Sequence, residues 1–276
     1  MNEDRPVATS EETRADLLRL SGSGYTKVRH ILRQLPPDGD NSRISVLGPM
    51  VTDRKRRALQ LYLLLLTAWP WLRNQDRPLD ARVWARALST TNGRKWSPTN
   101  VSTAWRDLEQ RSLVTRTRVA RGVWVEPRRE DGRAPYVIPS PVNGDDLLET
   151  YFVLPPEFWT KEYFEQLSLP GMAVLLILLG ETNKKDEAWF THVTMGKWYG
   201  LSTRSVASAL SELETIGILN AREEWVRAPL SGIGHTQRTW YSLTGSFSTG
   251  SRAALRARAQ AERASRTAAT GGGEGA

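Results

Sequence analysis

Two stretches of the chain repeat each other, SPTNVSTAWRDLEQRSLV at 97–114 and STRSVASALSELETIGIL at 202–219. They align at an offset of 105 residues. In both, apolar residues recur at helical spacing, and each stretch ends in a β-like run. A repeat of this kind indicates one structural unit that is present twice.

Each stretch begins with the start signal of a helix. Ser97 and Ser202 are good N-cap residues, because a serine hydroxyl accepts a hydrogen bond from a backbone amide of the first turn. Pro98 stands at the first helical position, where its missing amide donor costs nothing. An inward apolar stripe is predicted in each helix, at Val101, Ala104, Trp105 and Leu108 and at Val206, Ala209, Leu210 and Leu213.

Similar elements flank the two stretches. Upstream, the spacing of apolar residues predicts a long and a short helix in each copy, at 56–69 and 79–88 and at 170–182 and 193–200. Downstream, two β-like runs bracket a polar loop, LVTRTRV with YVIP in the first copy and ILNAREEWV with TWYSL in the second. Each copy is therefore predicted to consist of three helices closed by a β-hairpin.

Three helices and a hairpin in this order resemble the winged helix, and STRSVASALSELETIGIL resembles the recognition-helix segment of bacterial winged-helix regulators. The resemblance covers about 54–138 and 168–245. It implies a mainly α fold with small β-hairpins, of the α+β class, built from two tandem winged-helix domains. The expected divisions are an N-terminal helical or flexible region at 1–50, a basic first domain at 51–140, an acidic second domain at 141–247, and a disordered Arg/Ala/Gly-rich tail at 248–276.

The distribution of charge points to an anionic partner. The formal net charge is +8 and the sequence pI is about 10.0. Residues 51–138 carry 18 basic and 8 acidic side chains, whereas residues 139–247 carry 8 basic and 13 acidic ones. A basic partner-binding surface is therefore expected in the first copy.

In winged-helix proteins the third helix usually enters the DNA major groove, and the wing touches the backbone or the minor groove. Carried over by position, the resemblance makes Thr99, Asn100, Thr103 and Arg106 the candidates for base contacts. Asn can pair bidentately with adenine and Arg with guanine. The first wing would place six arginines against phosphates, which are Arg116, Arg118, Arg121, Arg128, Arg129 and Arg133. Neutralising about six phosphates predicts a log-log salt slope on the order of −5.

The second copy offers Arg204, Ser205 and Ser208 on its corresponding surface, flanked by acidic residues such as Glu212. Repulsion between these acids and phosphates weakens generic DNA binding. Contact with DNA and a role in dimerisation or protein docking both remain open for this copy.

The two ends of the chain have different signals. Between Thr26 and Leu35, apolar residues at helical spacing predict a docking or dimerising helix with a basic outer face. From about residue 248 the sequence is low in complexity and nearly free of large apolar residues, which predicts a disordered basic tail.

Several classes of protein and of site are disfavoured. The chain contains no cysteine and only three histidines, which lie far apart in the sequence. Neither a phosphate-binding loop, a dinucleotide fingerprint, a G-x-S-x-G elbow nor an H-E-x-x-H motif occurs. We therefore expect no enzyme, metal or cofactor. The 14-residue apolar run at 59–72 is shorter than the roughly 20 residues that a bilayer requires, so it predicts a core helix of a cytoplasmic, nucleoid-associated protein.

The function predicted from these features is sequence-specific binding of double-stranded DNA by a transcriptional regulator. One alternative is a plasmid or phage replication initiator that binds origin repeats, because such initiators share the tandem architecture and the segment at 152–179 resembles their interdomain entry. A second alternative is a winged-helix adaptor that docks a protein partner through the second domain. Homodimerisation is compatible with all three.

Overall fold

The computed structural model describes residues 6–36, 43–120, 122–140, 146 and 148–271. Helices form most of its regular structure, and the strands form three small antiparallel sheets. This agrees with the predicted combination of helices and hairpins.

The first half of the chain begins with a helix and a strand that precede the first copy of the repeat. A 3-10 helix at His30–Leu32 follows the strand. The other elements are α1 (Ser10–Ser21), β1 (Thr26–Arg29), α2 (Leu47–Thr52), α3 (Arg56–Leu72), α4 (Ala81–Leu88), α5 (Pro98–Gln110), β2 (Val114–Val119) and β3 (Gly122–Pro127).

The second half begins with a strand and two short helices before the second copy of the repeat. A 3-10 helix at Gly245–Phe247 precedes the last helix. The other elements are β4 (Tyr151–Leu154), α6 (Glu157–Thr160), α7 (Tyr163–Gln166), α8 (Leu169–Glu181), β5 (Glu187–Trp189), α9 (His192–Tyr199), α10 (Thr203–Thr215), β6 (Leu219–Arg227), β7 (His235–Leu243) and α11 (Thr249–Gly271).

The order of elements repeats as the sequence predicts. Helices α3, α4 and α5 are followed by the β2–β3 hairpin, and helices α8, α9 and α10 by the β6–β7 hairpin. Within the described residues, the second copy has an additional strand, β5, which pairs with β7 to give the sheet order β5-β7-β6.

The predicted caps and apolar stripes of the repeated helices are confirmed. Ser97 Oγ accepts from the Asn100 amide at 3.2 Å, and Ser202 Oγ accepts from the Ser205 amide at 3.0 Å. All eight residues of the predicted stripes of α5 and α10 are buried. Before α10, Gly200 ends α9 with a φ of 71°, a left-handed conformation that glycine adopts without a side-chain clash.

The prediction for the first hairpin is wrong in its second strand. β2 pairs with β3, with Val114 opposite Pro127, and does not pair with the YVIP run at 136–139. Carbonyl groups of that run are used elsewhere: Val137 accepts from Arg29 at 2.5 Å, and Pro139 accepts from Lys27 at 2.7 Å. The hairpin is consequently shorter than expected, and the arginines after Pro127 lie outside it.

One apolar core connects the two copies. Helices α3 and α8 are apolar on nearly every side, and most of their residues are buried in the same cluster. A helix with apolar residues all round needs neighbours on several sides. The prediction of a buried core helix for the apolar run at 59–72 is thus confirmed.

The helix predicted between Thr26 and Leu35 is replaced by strand β1 and a single 3-10 turn. β1 pairs antiparallel with β4, so that Val28 lies opposite Phe152. Strand β1 also contacts α3, and β4 contacts α8. The apolar spacing that predicted a helix also matches the buried positions of this strand and turn. Pairing with a strand over a hundred residues away therefore decides the structure of the segment.

The predicted disorder after residue 248 is also wrong over the described part of that segment, where Thr249–Gly271 forms α11. Its start is fixed by Arg252, which is 1% exposed and donates to the carbonyls of Leu179 at 2.8 Å and Thr182 at 2.9 Å. Ala259 packs in a small cluster with Tyr25 and Tyr151. A buried arginine satisfies the carbonyls at the C-terminus of α8 and so compensates for the scarcity of large apolar residues.

We predict that Arg252→Ala lowers the free energy of unfolding by about 1–3 kcal/mol, because buried carbonyls lose their donors. Amide hydrogen exchange across α11 should accelerate at the same time. Arg258→Ala on the same helix is the control, since Arg258 is 80% exposed and its one ion pair among the described residues is with Glu262 of the same helix. Equal losses for the two variants in urea unfolding would contradict the anchoring role of Arg252.

Candidate nucleic-acid interface

Helix α5 presents a polar face to solvent. Thr99, Thr103 and Arg106 are exposed on it, while the apolar residues on the opposite face pack into the core. These three residues repeat at intervals of four and three, so they lie along one side of the helix. Hydroxyl and guanidinium groups in this position can donate hydrogen bonds to an acceptor outside the protein.

Asn100, also predicted for base contacts, is committed to the helix cap. Its Oδ1 accepts from the Ser97 amide at 3.1 Å, and its own amide donates to Ser97 Oγ. This reciprocal capping box orients the side-chain amide and leaves Asn100 only partly exposed. The S-x-x-N spacing at 97–100 is the sequence signal for this role.

The β2–β3 hairpin carries two of the six predicted phosphate-contacting arginines on a described strand. Arg116 donates from Nε to Glu109 on α5 at 2.9 Å, and this hydrogen bond holds the pKa of Glu109 below its usual range. Arg118 is exposed and has no acidic partner among the described residues. Arg121 lies outside the described residues. Arg118 is thus the clearest unpaired cation of this hairpin within the described part of the chain.

The other three predicted wing arginines lie in a turn after β3, which an isolated bridge between Arg128 and Pro135 closes. Arg128 donates to the Gly132 carbonyl at 3.0 Å, and Arg129 pairs with Asp131 at 2.7 Å. Arg133 is exposed. Since Arg128 and Arg129 bind groups within the protein, Arg133 is the one of these three with an exposed guanidinium and no ion pair to a described residue.

A buried ion pair fixes the base of this hairpin to the N-terminal strand. Glu130 is fully buried and accepts from the amide of Arg29 at 3.1 Å and from its guanidinium at 3.0 Å. The Arg29 guanidinium also lies 5.1 Å from the centre of the Tyr136 ring. Burial raises the pKa of Glu130, while Arg29 acts to lower it.

The second copy has a similar but less basic arrangement. Arg204 and Ser208 are exposed on α10, whereas Ser205 is partly buried and its hydroxyl lies 2.8 Å from that of the capping Ser202. Of the three predicted residues, Ser205 is therefore engaged in capping and the other two face solvent.

Acidic side chains engage several polar groups of the β6–β7 hairpin. Arg222 pairs with Glu187 on β5 at 2.9 Å, and Trp240 Nε1 donates to Glu224 at 2.6 Å. Apolar residues are exposed on this hairpin as well, with Trp225 at 66% and Leu230, near its tip, fully exposed. This surface differs in character from the arginine-bearing hairpin of the first copy.

A cleft of about 450 Å³ lies between the first turn of α3 and the N-terminal half of α5. Asn100 and Thr103 form part of its α5 wall. Five basic side chains that were not predicted as site residues line it, which are Arg54, Lys55, Arg56, Arg57 and Arg94. The run RKRR at 54–57 was visible in the sequence, but its position beside Arg94 and α5 depends on the packing of three separate segments.

Comparison with known proteins gives no match: neither a protein-family model, nor a curated protein, nor a solved structure is significantly similar to this chain. Within the described ranges, no helix is both long enough and apolar enough to cross a membrane. The same part of the chain contains no group of three histidine or carboxylate residues placed to hold a metal ion.

We predict that Glu130→Gln lowers the free energy of unfolding by about 3–5 kcal/mol, because buried Arg29 loses its close counter-ion and keeps only the more distant Glu149, at 3.9 Å. The control is Glu126→Gln on β3, which removes the same charge from an exposed side chain and should change stability by less than about 0.5 kcal/mol. Urea unfolding of both variants measures the difference. Similar values would mean that the buried pair does not hold the hairpin base.

Proposed function

We propose that this protein binds double-stranded DNA in a sequence-specific manner and acts as a transcriptional regulator. The observation that carries the proposal is the exposed polar face of α5 beside an arginine-bearing hairpin, in the part of the chain where basic residues outnumber acidic ones by ten. A helix with such a face fits the major groove, and an adjacent hairpin can reach the phosphate backbone.

The element order supports a winged-helix interpretation of both copies. In the second copy, α8, β5, α9, α10, β6 and β7 follow one another, and β5 closes the three-stranded sheet. The first copy has the same three helices and hairpin. By this interpretation α5 and α10 are the recognition helices, and Thr99, Thr103 and Arg106 are the residues of the first copy that face the bases.

Contacts within the protein reduce the number of predicted wing arginines that are available to bind phosphates. Arg116 and Arg129 already have carboxylate partners, and Arg128 donates to a backbone carbonyl. A cation that is already paired gains less from a phosphate than an unpaired one. Arg118 and Arg133 are therefore the preferred phosphate contacts in this region of the first copy.

A protein-docking adaptor is the second candidate, and the surface of the second copy favours it. The β6–β7 hairpin exposes Trp225, Leu230 and Ile233, and its Arg222 is already paired with Glu187. Exposed aromatic and aliphatic side chains are typical of protein interfaces. In a DNA-binding protein, the same hairpin can recruit a partner while the first copy holds the DNA.

We expect Arg118→Gln to weaken binding to all duplexes by a similar factor and to make the log-log salt slope less negative by about 0.9. The physical reason is the loss of one phosphate contact, and hence of about one released counterion. Fluorescence anisotropy over a salt series measures both quantities. Arg258→Gln on α11 removes the same charge from an exposed site distant in sequence and should leave the slope unchanged. Lack of measurable DNA affinity in the unaltered protein at physiological salt would overturn the proposal and favour the adaptor.

Arg106→Gln is expected to act on specificity instead. Loss of a bidentate contact to guanine costs about 1–3 kcal/mol at one base pair and leaves the other positions of the binding site unchanged. Selection of binding sites from a random duplex pool, before and after the substitution, detects this as relaxed preference at one position. A uniform loss of affinity across all sequences would place Arg106 on a phosphate and not on a base.

A further inference from the structure

The cleft between α3 and α5 has more positive charge than its own acids neutralise. Five cationic and two acidic side chains line it. Both acids are paired, since Asp53 lies 2.5 Å from Arg111 and Asp107 lies 2.9 Å from Lys55.

A third acid, Glu165, contacts two of the lining residues, at 3.3 Å from Arg56 and 4.0 Å from Arg94. Glu165 also accepts from the backbone amide of Arg94 at 3.2 Å, whereas the Arg94 guanidinium is 4.0 Å away and the side chain is 55% exposed. Arg54 has no acidic partner among the described residues, and Arg57 is exposed with its guanidinium 5.6 Å from the centre of the Trp96 ring. Three arginines are consequently available to a ligand.

Helix α3 adds backbone donors to this arrangement. No side chain caps its N-terminus, and no acidic residue occupies its first turn. Side-chain oxygens cap α1, α4, α5, α8, α9 and α10, whereas the short helices α2, α6 and α7 lack such a cap, as α3 does. The uncapped amides of α3 and its helix dipole both favour an anion in the cleft.

We propose that this cleft binds a phosphate group, held by Arg54, Arg57 and Arg94 at the uncapped start of α3. Guanidinium groups suit this ligand because their planar donors match the geometry of phosphate oxygens. The DNA backbone is one source of the phosphate, and a free phosphorylated small molecule is the other.

The position of the cleft favours the DNA backbone. Its α5 wall includes Thr103, which also lies on the face proposed to contact bases. A duplex with bases against that face brings its own backbone close to the cleft. This form of the proposal rests on the proposed function, whereas binding of a free phosphate compound does not.

The test uses the full chain and the Arg54→Gln/Arg94→Gln double variant. Arg73→Gln is the matched control, because it removes an exposed arginine at the opposite end of α3. Pyrophosphate binding is measured by calorimetry. DNA binding is measured on a selected duplex in which single phosphates are replaced by neutral methylphosphonates. Thermal denaturation shows whether the double variant is folded. If Arg54→Gln disturbs folding, the single variant Arg94→Gln, which lies in an exposed loop, replaces the double variant.

We expect one or two methylphosphonate positions to weaken binding of the unaltered protein and of Arg73→Gln by about tenfold, in line with loss of a charged hydrogen bond. The double variant should bind the unmodified duplex correspondingly weakly and be insensitive at those positions. Pyrophosphate binding that requires the arginines, without any DNA binding, would support the cleft with a free ligand and overturn the proposed function. If the double variant matches the unaltered protein in both assays, or if the unaltered protein binds neither ligand, the cleft is not a phosphate site.

Discussion

Pairing of β1 with β4 is the interaction on which the arrangement of the two copies depends. β1 contacts α3, the central helix of the first copy, and β4 contacts α8, the central helix of the second. Because both helices are apolar on nearly every side, each requires cover beyond its own copy. Helix α2, which contacts both α3 and α8, provides a second bridge. The N-terminal region is therefore part of the core and not an appendage to it.

The same strand positions the basic hairpin of the first copy. Arg29, the last residue of β1, binds Glu130 and the Val137 carbonyl, while Lys27 binds the Pro139 carbonyl. These bonds draw the segment after β3 against β1 and shorten the hairpin. A buried ion pair adds little net stability, but removal of one partner lowers stability strongly. The Arg29–Glu130 pair therefore favours the arrangement in which the segment after β3 lies against β1. This packing determines which arginines of the first copy bind groups within the protein and which face solvent.

Local signals in the sequence predicted the repeated helices. The elements that were predicted wrongly, β1 and α11, depend on contacts between residues far apart in the sequence. Ser97, Ser202 and the apolar stripes act within one helix, so the sequence alone places α5 and α10 accurately. β1, in contrast, depends on a partner strand beyond residue 150, and α11 depends on Arg252 reaching Leu179. For the candidate site, the composition predicted that the first copy is basic. The predicted helix at α5 was enough to put Thr99, Thr103 and Arg106 on its exposed face. Composition could not show that Arg116 and Arg129 have carboxylate partners, or that Arg54 and Arg94 share a cleft.

A shared core also changes what a second DNA-contacting copy would add. Two domains on a flexible linker reach many relative positions, so the second contact gains only the effective concentration that the linker allows. Here β1–β4 pairing and α2 tie α3 to α8, so α5 and α10 are held in a defined relation and the entropy of orienting them is lost on folding and not on binding. Two contacts held in this way discriminate between sites by their spacing as well as by their bases. Under the proposed function, the acidic residues of the second copy need not weaken recognition. The first copy would supply the generic attraction to phosphates, and the second would act through its position.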